Sequence, residues 1–309
     1  GPILRGSELL PQIDRPRSVG GDDVRAALAL FFRGYVKKAL VADILAVMLV
    51  DPVYTHPERY GTATFWLAMF AFAIQVYCDF SGYTDMGRAS ARLLGFDLPL
   101  NFKNPFLSVN PQDFWRRWHI TLSRWIRDYV FFFALGGLRA SRLKLLFSVM
   151  VTMTLAGLWH AARWPLIVWG VYHGVWLVLH YFYRTAMVRY ASWDKWHRHS
   201  AYQWICRAAM FLGFSFGQIF GRAQDMAMAG TIIKGLLGRL NGPGQIFSGQ
   251  CFLLMTAAMI AHTWPLWPER IRAMRWCPAV CRDAAYAGVL IYVLLMSSGG
   301  LRPFIYFQF

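Results

Sequence analysis

Apolar residues run along this chain in blocks long enough to cross a bilayer, with basic residues clustered between the blocks. A spanning helix needs about 20 mostly apolar residues. Residues 62–80 form a clean span without a single Lys or Arg. Residues 145–160 and 164–183 predict a helical pair, and 202–220, 246–266 and 284–298 are three further apolar stretches. Residues 26–50 are apolar but interrupted by Arg33, Lys37 and Lys38 at helical spacing, which predicts an amphipathic or partly embedded helix. Residues 81–111 contain Gly82, Gly95, Pro99, Pro105 and Pro111 and read as a long polar connection. Residues 112–127 read as a short basic and aromatic helix, and residues 1–25 as a polar loop. No internal repeat or low-complexity segment interrupts this order. The expectation is an all-α polytopic integral membrane protein with one membrane domain over 1–309.

Composition strengthens that class. The chain is 57% hydrophobic and 16% charged, whereas a soluble domain is about 45–50% apolar and about 25% charged. Its net charge of +16 would suggest nucleic acid in a soluble protein. Here the basic residues lie between apolar runs, where the positive-inside rule and anionic headgroups account for them, so membrane lipid is the expected partner and nucleic acid is not. The basic loops 139–144, 184–200 and 267–283 are each separated by two expected crossings, so all three can be cytoplasmic. The connection 221–245 then faces the other side with Arg222, Lys234 and Arg239, a modest asymmetry. Gly1-Pro-Ile-Leu-Arg5 has no initiator Met and no signal segment after it, so it reads as a loop inside a longer protein with further spans upstream. Cys277 and Cys281 are four apart with no second pair, which leaves the five cysteines as buried or interfacial thiols.

Against this apolar background the histidines stand out. His160 ends the run that starts at Leu145, and His173 sits inside the next one. Ionisable groups at membrane depth are costly and usually face a polar interior or a water-filled cavity. His160 is either a core histidine bonded to a carbonyl or a functional imidazole; a neutral imidazole accepts a proton near physiological pH. For His173, aromatic packing with a helix–helix hydrogen bond is the simpler reading. On a helix, Trp115, His119, Leu122, Ser123 and Ile126 share one face, so His119 points with large apolar groups and Ser123 follows one turn on. Arg116, Arg117, Arg124 and Arg127 fall mainly on other faces, where headgroup anchoring competes with a role in substrate binding. Zinc sites want closely spaced ligands, and His160 and His173 are thirteen apart, so no metal is expected. Asp79 and Asp85 bracket Phe80-Ser-Gly-Tyr-Thr84 and suggest loop capping or, with the histidines, a proton relay of a transporter or flippase. Such proteins often show paired interrupted spans in two halves, and none is visible.

Three ordered motifs carry a resemblance. They are Trp115-Arg-Arg-Trp-His-Ile-Thr-Leu-Ser-Arg-Trp-Ile-Arg-Asp-Tyr129 with Gly136-Gly137 after it, Gly157-Leu-Trp-His-Ala-Ala-Arg-Trp164, and Trp169-Gly-Val-Tyr-His-Gly174. Together with Gly1-Pro-Ile-Leu-Arg5, Tyr77-Cys-Asp-Phe-Ser-Gly-Tyr-Thr-Asp85 and the ending Phe304-Ile-Tyr-Phe-Gln-Phe309, the chain resembles the membrane-bound O-acyltransferases over essentially its whole length. The branch it resembles is the alginate O-acetylase type, related to the D-alanyl exporter of teichoic acid synthesis. The resemblance implies a helical bundle enclosing a tunnel or funnel, in a bacterial inner membrane. It implies acyl transfer from a cytoplasmic donor, acetyl-CoA, with no permanently bound cofactor. The acceptor would be a hydroxyl on an extracytoplasmic polysaccharide such as alginate, or on a periplasmic partner acetyltransferase. His160 matches the catalytic histidine and His119 the second functional one. Arg116, Arg117, Ser123, Trp159 and His173 are the candidate substrate-binding residues. Ala161 departs from the pattern, where the family commonly has Gly.

Overall fold

The computed structural model describes residues 2–15, 18–135, 141–190, 197–240, 242–245, 248–266, 287, 288 and 291. The basic loop 267–283, nearly all of the apolar stretch 284–298, Gly136-Gly137 and the C-terminal motif lie outside the described residues. The described residues contain helices and connections, with no strand beyond one isolated bridge between Tyr60 and Gly244.

Helix α1 (Gly6–Ile13) and helix α2 (Gly21–Tyr35) occupy part of the segment that reads as a loop. The polar residues responsible are helix-start residues: Asp22 and Asp23 lie in the first turn of α2, where carboxylates favour the dipole. Beyond Tyr35 the chain stays helical to Thr55, with wide turns over Val36–Ala42 and Ala46–Val50. There the Asp43 and Asp51 N–H groups donate to carbonyls five residues back, on Lys38 and Ala46.

Helix α3 (Thr62–Leu93) lies at the centre, and 32 residues make it about 48 Å long. It overturns the reading of 81–111 as one long connection, because 81–93 are helical. The residues that looked like breakers are packing and pairing groups. A Cβ on Gly82 would lie 2.6 Å from the Gly34 carbonyl oxygen, so the two glycines let α2 and α3 touch backbone to backbone. Asp79 pairs with Lys38 at 2.6 Å; Asp85 pairs with Lys37 at 2.8 Å and Arg33 at 3.2 Å. The cations interrupting 26–50 thus neutralise the carboxylates of α3, and neither aspartate caps a loop. The helix stops at Gly95, whose φ of +78° allows a left-handed cap: Phe96 N–H donates to the Ala91 carbonyl and Gly95 N–H to the Arg92 carbonyl.

Two short helices follow, α4 (Pro111–Trp115) and α5 (Ile120–Ile126), then the long pair α6 (Arg142–His160) and α7 (Trp164–Met187). The pair closes tightly because Gly157 and Gly170 face each other's backbones; a Cβ on Gly170 would sit 2.3 Å from the Met153 carbonyl oxygen. Helices α8 (Ser200–Arg222), α9 (Met226–Leu236) and α10 (Gly249–Thr263) complete the described part. Helix α9 lies inside the 221–245 connection, capped by Asp225, whose carboxylate accepts the Met228 N–H at 2.8 Å. Three helices, α3, α6 and α7, are long and apolar enough to cross a membrane. The protein is an all-helical integral membrane protein. Helix α3 is mostly buried by its neighbours, whereas Leu143, Phe147, Leu155, Leu158, Leu179 and Phe182 leave α6 and α7 with apolar outer faces.

Candidate active site

The continuous helix expected over 112–127 is broken in the middle. α4 ends at Trp115, and His119 takes left-handed dihedrals (φ 41°, ψ 55°) before α5 starts. The break is held from outside by the stretch after α3. Lys103 N–H donates to the Arg117 carbonyl at 2.9 Å, and Ile120 N–H donates to the Asn101 carbonyl at 2.9 Å. These bonds satisfy backbone groups that a regular helix would have satisfied internally. Non-glycine residues with positive φ are uncommon, though His is enriched among them, and the strain persists only where the surroundings over-determine it.

The break turns His119 into a cavity of about 220 Å³. Trp115, Trp118, Leu122, Ser123 and Ile126 line one side of it from α4, the break and α5. Val149, Thr152, Met153, Ala156 and His160 line it from α6, and Trp169 and Leu177 from α7. The five positions expected to share a helix face therefore do face one space, although two helices and a break deliver them. His160 reaches it from the last position of α6; its ring meets Trp169 edge-on at 5.4 Å and Trp159 at 5.0 Å. The next residue, Ala161, has φ −167°, extended backbone that any residue adopts, so the methyl group there brings no backbone strain.

His119 is almost fully buried, with the Phe80 ring edge-on at 4.7 Å. Its Nδ1 lies 3.1 Å from Asn101 Oδ1. Burial first, and the nearby His160 second, push the His119 imidazole down to about 3, so it is neutral at physiological pH. At the mouth of α5, Arg127 lines the cavity while its Nε donates to Asp128 at 2.7 Å, and Asp128 also pairs with Arg5. Arg127 and Arg5 together hold the Asp128 carboxyl down to about 2.

The membrane-bound O-acyltransferase family model matches residues 1–219, more than half of the chain. The chain belongs to that family. A probable alginate O-acetylase of Pseudomonas aeruginosa is 40% identical over 179 residues, covering 58% of this chain and 34% of that protein. A peptidoglycan O-acetyltransferase of Helicobacter pylori is 32% identical over 247 residues, covering 78% of this chain and 44% of that protein. A teichoic acid D-alanyltransferase of Bacillus subtilis is 30% identical over 182 residues, covering 56% and 42%. The chain thus spans about a third to two-fifths of the length of these curated relatives.

Within this O-acyltransferase family member, the residues singled out from sequence separate into two groups. His160, His119 and Ser123 line the cavity; the Ser123 hydroxyl donates to the Trp118 carbonyl at 3.2 Å. Trp159 touches His160 but is about half exposed and is not part of the wall. Arg116 is exposed, and Arg117 pairs with Asp113 at 2.8 Å; neither lines the cavity, in keeping with their place on other faces than His119. His173 is fully buried among Trp169, Tyr172 and Trp115, with ring centroids at 4.8, 5.2 and 5.3 Å. The helix–helix hydrogen bond that would explain it is absent among the described residues, since neither ring nitrogen has a partner there. Asp79 and Asp85 do not line the cavity. Sequence reasoning missed Asn101, which sits in a stretch that reads only as polar connection, and Arg127, which helical spacing places on a face other than that of His119.

Proposed function

We propose that this chain carries the acyl-transfer centre of a bacterial inner-membrane O-acyltransferase. It would move an acetyl group from a cytoplasmic thioester, acetyl-CoA, to a hydroxyl on an extracytoplasmic polysaccharide such as alginate. The observation that carries this reading is the convergence of two imidazoles, His160 and His119, on one mostly apolar cavity between helices. A hydroxyl is a weak nucleophile at neutral pH and needs a base beside it. His160 takes the hydroxyl proton as the oxygen attacks the thioester carbonyl carbon. The carbon–sulfur bond then breaks, the acetyl ester remains on the acceptor, and the protonated His160 returns its proton to the departing thiolate. His119 orients the acceptor or stabilises the negative charge of the tetrahedral intermediate. Trp115, Trp118 and Trp169 exclude water that would otherwise take the acetyl group.

The test is acetyl transfer by the full chain in lipid, followed as thiol release from acetyl-CoA and as ester formed on the polymer. His160→Ala is expected to lower the rate by a factor of about 100 or more. Full transfer by that variant, with its helices intact, would end the assignment of His160 as base.

A further inference from the structure

Asn101 has no exposed surface, and its Oδ1 is a meeting point. The Thr121 backbone N–H approaches it at 3.2 Å, the Thr121 hydroxyl at 2.9 Å and His119 Nδ1 at 3.1 Å. A backbone N–H only donates, so the asparagine atom it meets is the carbonyl oxygen and not the amide nitrogen. That oxygen only accepts, so His119 Nδ1 carries the hydrogen. In a neutral imidazole the lone pair then sits on Nε2. The network extends one step further. Thr121 gives its hydroxyl hydrogen to Asn101 and accepts the Ile3 N–H at 3.0 Å. Donation therefore runs one way, from Ile3 through Thr121 to Asn101, and from His119 to the same oxygen.

We propose that Asn101, oriented by Thr121 and Ile3, is a positioning residue that fixes His119 as the Nδ1–H tautomer, leaving Nε2 to accept a hydrogen bond from a second hydroxyl of the acceptor sugar, beside the one whose proton His160 takes. The second half rests on the acyl-transfer reading of the cavity; the tautomer does not. The arrangement chooses between the two roles open to His119. A lone pair at Nε2 orients a hydroxyl and does not donate to an oxyanion. It also gives the Gly-Pro-Ile segment a task, since Ile3 closes the far end of the network.

The experiment is nitrogen NMR on the full chain, labelled with ¹⁵N-histidine and reconstituted in lipid vesicles, with His119 assigned by His119→Gln. The expected wild-type spectrum shows His119 protonated at Nδ1 and bare at Nε2. Asn101→Leu is expected to move the proton to Nε2 and to lower kcat about 100-fold, with KM for acetyl-CoA little changed. Asn101→Asp keeps an acceptor for all three donors and guards against misfolding. It is expected to retain the tautomer, restore transfer and raise the His119 midpoint by about one pH unit or more, as a nearby carboxylate favours the charged ring. His160 and Arg127 are the other titratable or charged groups facing that cavity, so the same titration is read in His160→Gln. An Nε2–H signal in the wild type, or an unchanged tautomer in Asn101→Leu, overturns the proposal. An altered tautomer with unaltered kcat overturns the positioning role. The spectra need no turnover, so absence of transfer by the wild type would count against the acyl-transfer reading alone.

Discussion

His119 combines two demands that rarely meet in one residue: a left-handed backbone and a buried imidazole. Substitution separates them. Glycine tolerates φ +41° without strain, so His119→Gly is expected to keep the helix break and lose the chemistry. A β-branched residue resists that backbone, so His119→Ile is expected to cost stability as well, about 1–3 kcal/mol. Thermal unfolding in detergent beside transfer rates would show whether the two effects part in this way. The same residue carries a pH signature. Its folded-state value is held down to about 3, against about 6.5 for a free imidazole. Between those values the unfolded chain binds more protons, so this contribution to stability is complete above about pH 6.5 and is lost as pH falls. Melting temperature is expected to drop from about pH 7 to about pH 5, and less steeply in His119→Gln, where one of the proton-binding groups is gone. Equal slopes would mean that the imidazole is not held neutral by its surroundings. At this scale the sequence was readable where hydropathy made a residue anomalous, as with His160 and His119. It was unreadable where a side chain's direction depended on a break made by tertiary hydrogen bonds. Arg127, which lines the cavity although helical spacing puts it on another face, is the example.

At the scale of elements, the hairpin of α6 and α7 sets the position of His160. Its closeness depends on glycine at 157 and 170, and Gly170→Val places carbon where the Met153 carbonyl already sits. The expected cost is about 1–3 kcal/mol of stability, with a loss of transfer larger than that loss of folded protein, because the imidazole at the end of α6 moves off the cavity. Separate measurement of folded fraction and specific activity checks this. Apolar runs located this hairpin well, at 145–160 and 164–183 against Arg142–His160 and Trp164–Met187. The same reasoning failed from Ser81 to Leu93. A window of hydropathy sees Asp79, Gly82 and Asp85 as breaks, whereas their partners Lys38, Gly34, Lys37 and Arg33 come from a helix some 45 residues earlier. Pairing across that distance is invisible to any local pattern.

For the whole molecule, the family match and the cavity support one another without sharing an argument: one compares residues in order, the other places them in space. Helix α6 shows what that placement entails. Its 19 residues make it about 28 Å long, close to the roughly 30 Å hydrocarbon thickness of a bilayer. One side of it bears His160, Ala156, Met153 and Thr152 toward the cavity, and Leu143, Phe147, Leu155 and Leu158 lie exposed elsewhere on it. A single helix thus separates the cavity from an exposed apolar face, which on the acyl-transfer proposal would part reactants from lipid. A bilayer thicker or thinner than α6 is met by a change of tilt, each ångström of mismatch costing a fraction of a kcal/mol. That tilt swings the imidazole at the helix end. Transfer rate is expected to pass through a maximum as acyl-chain length of the host lipid is varied, and a rate indifferent to chain length would show that the hairpin is braced against it. The enzyme's turnover would then read out the thickness of its own solvent, with His160 as the pointer.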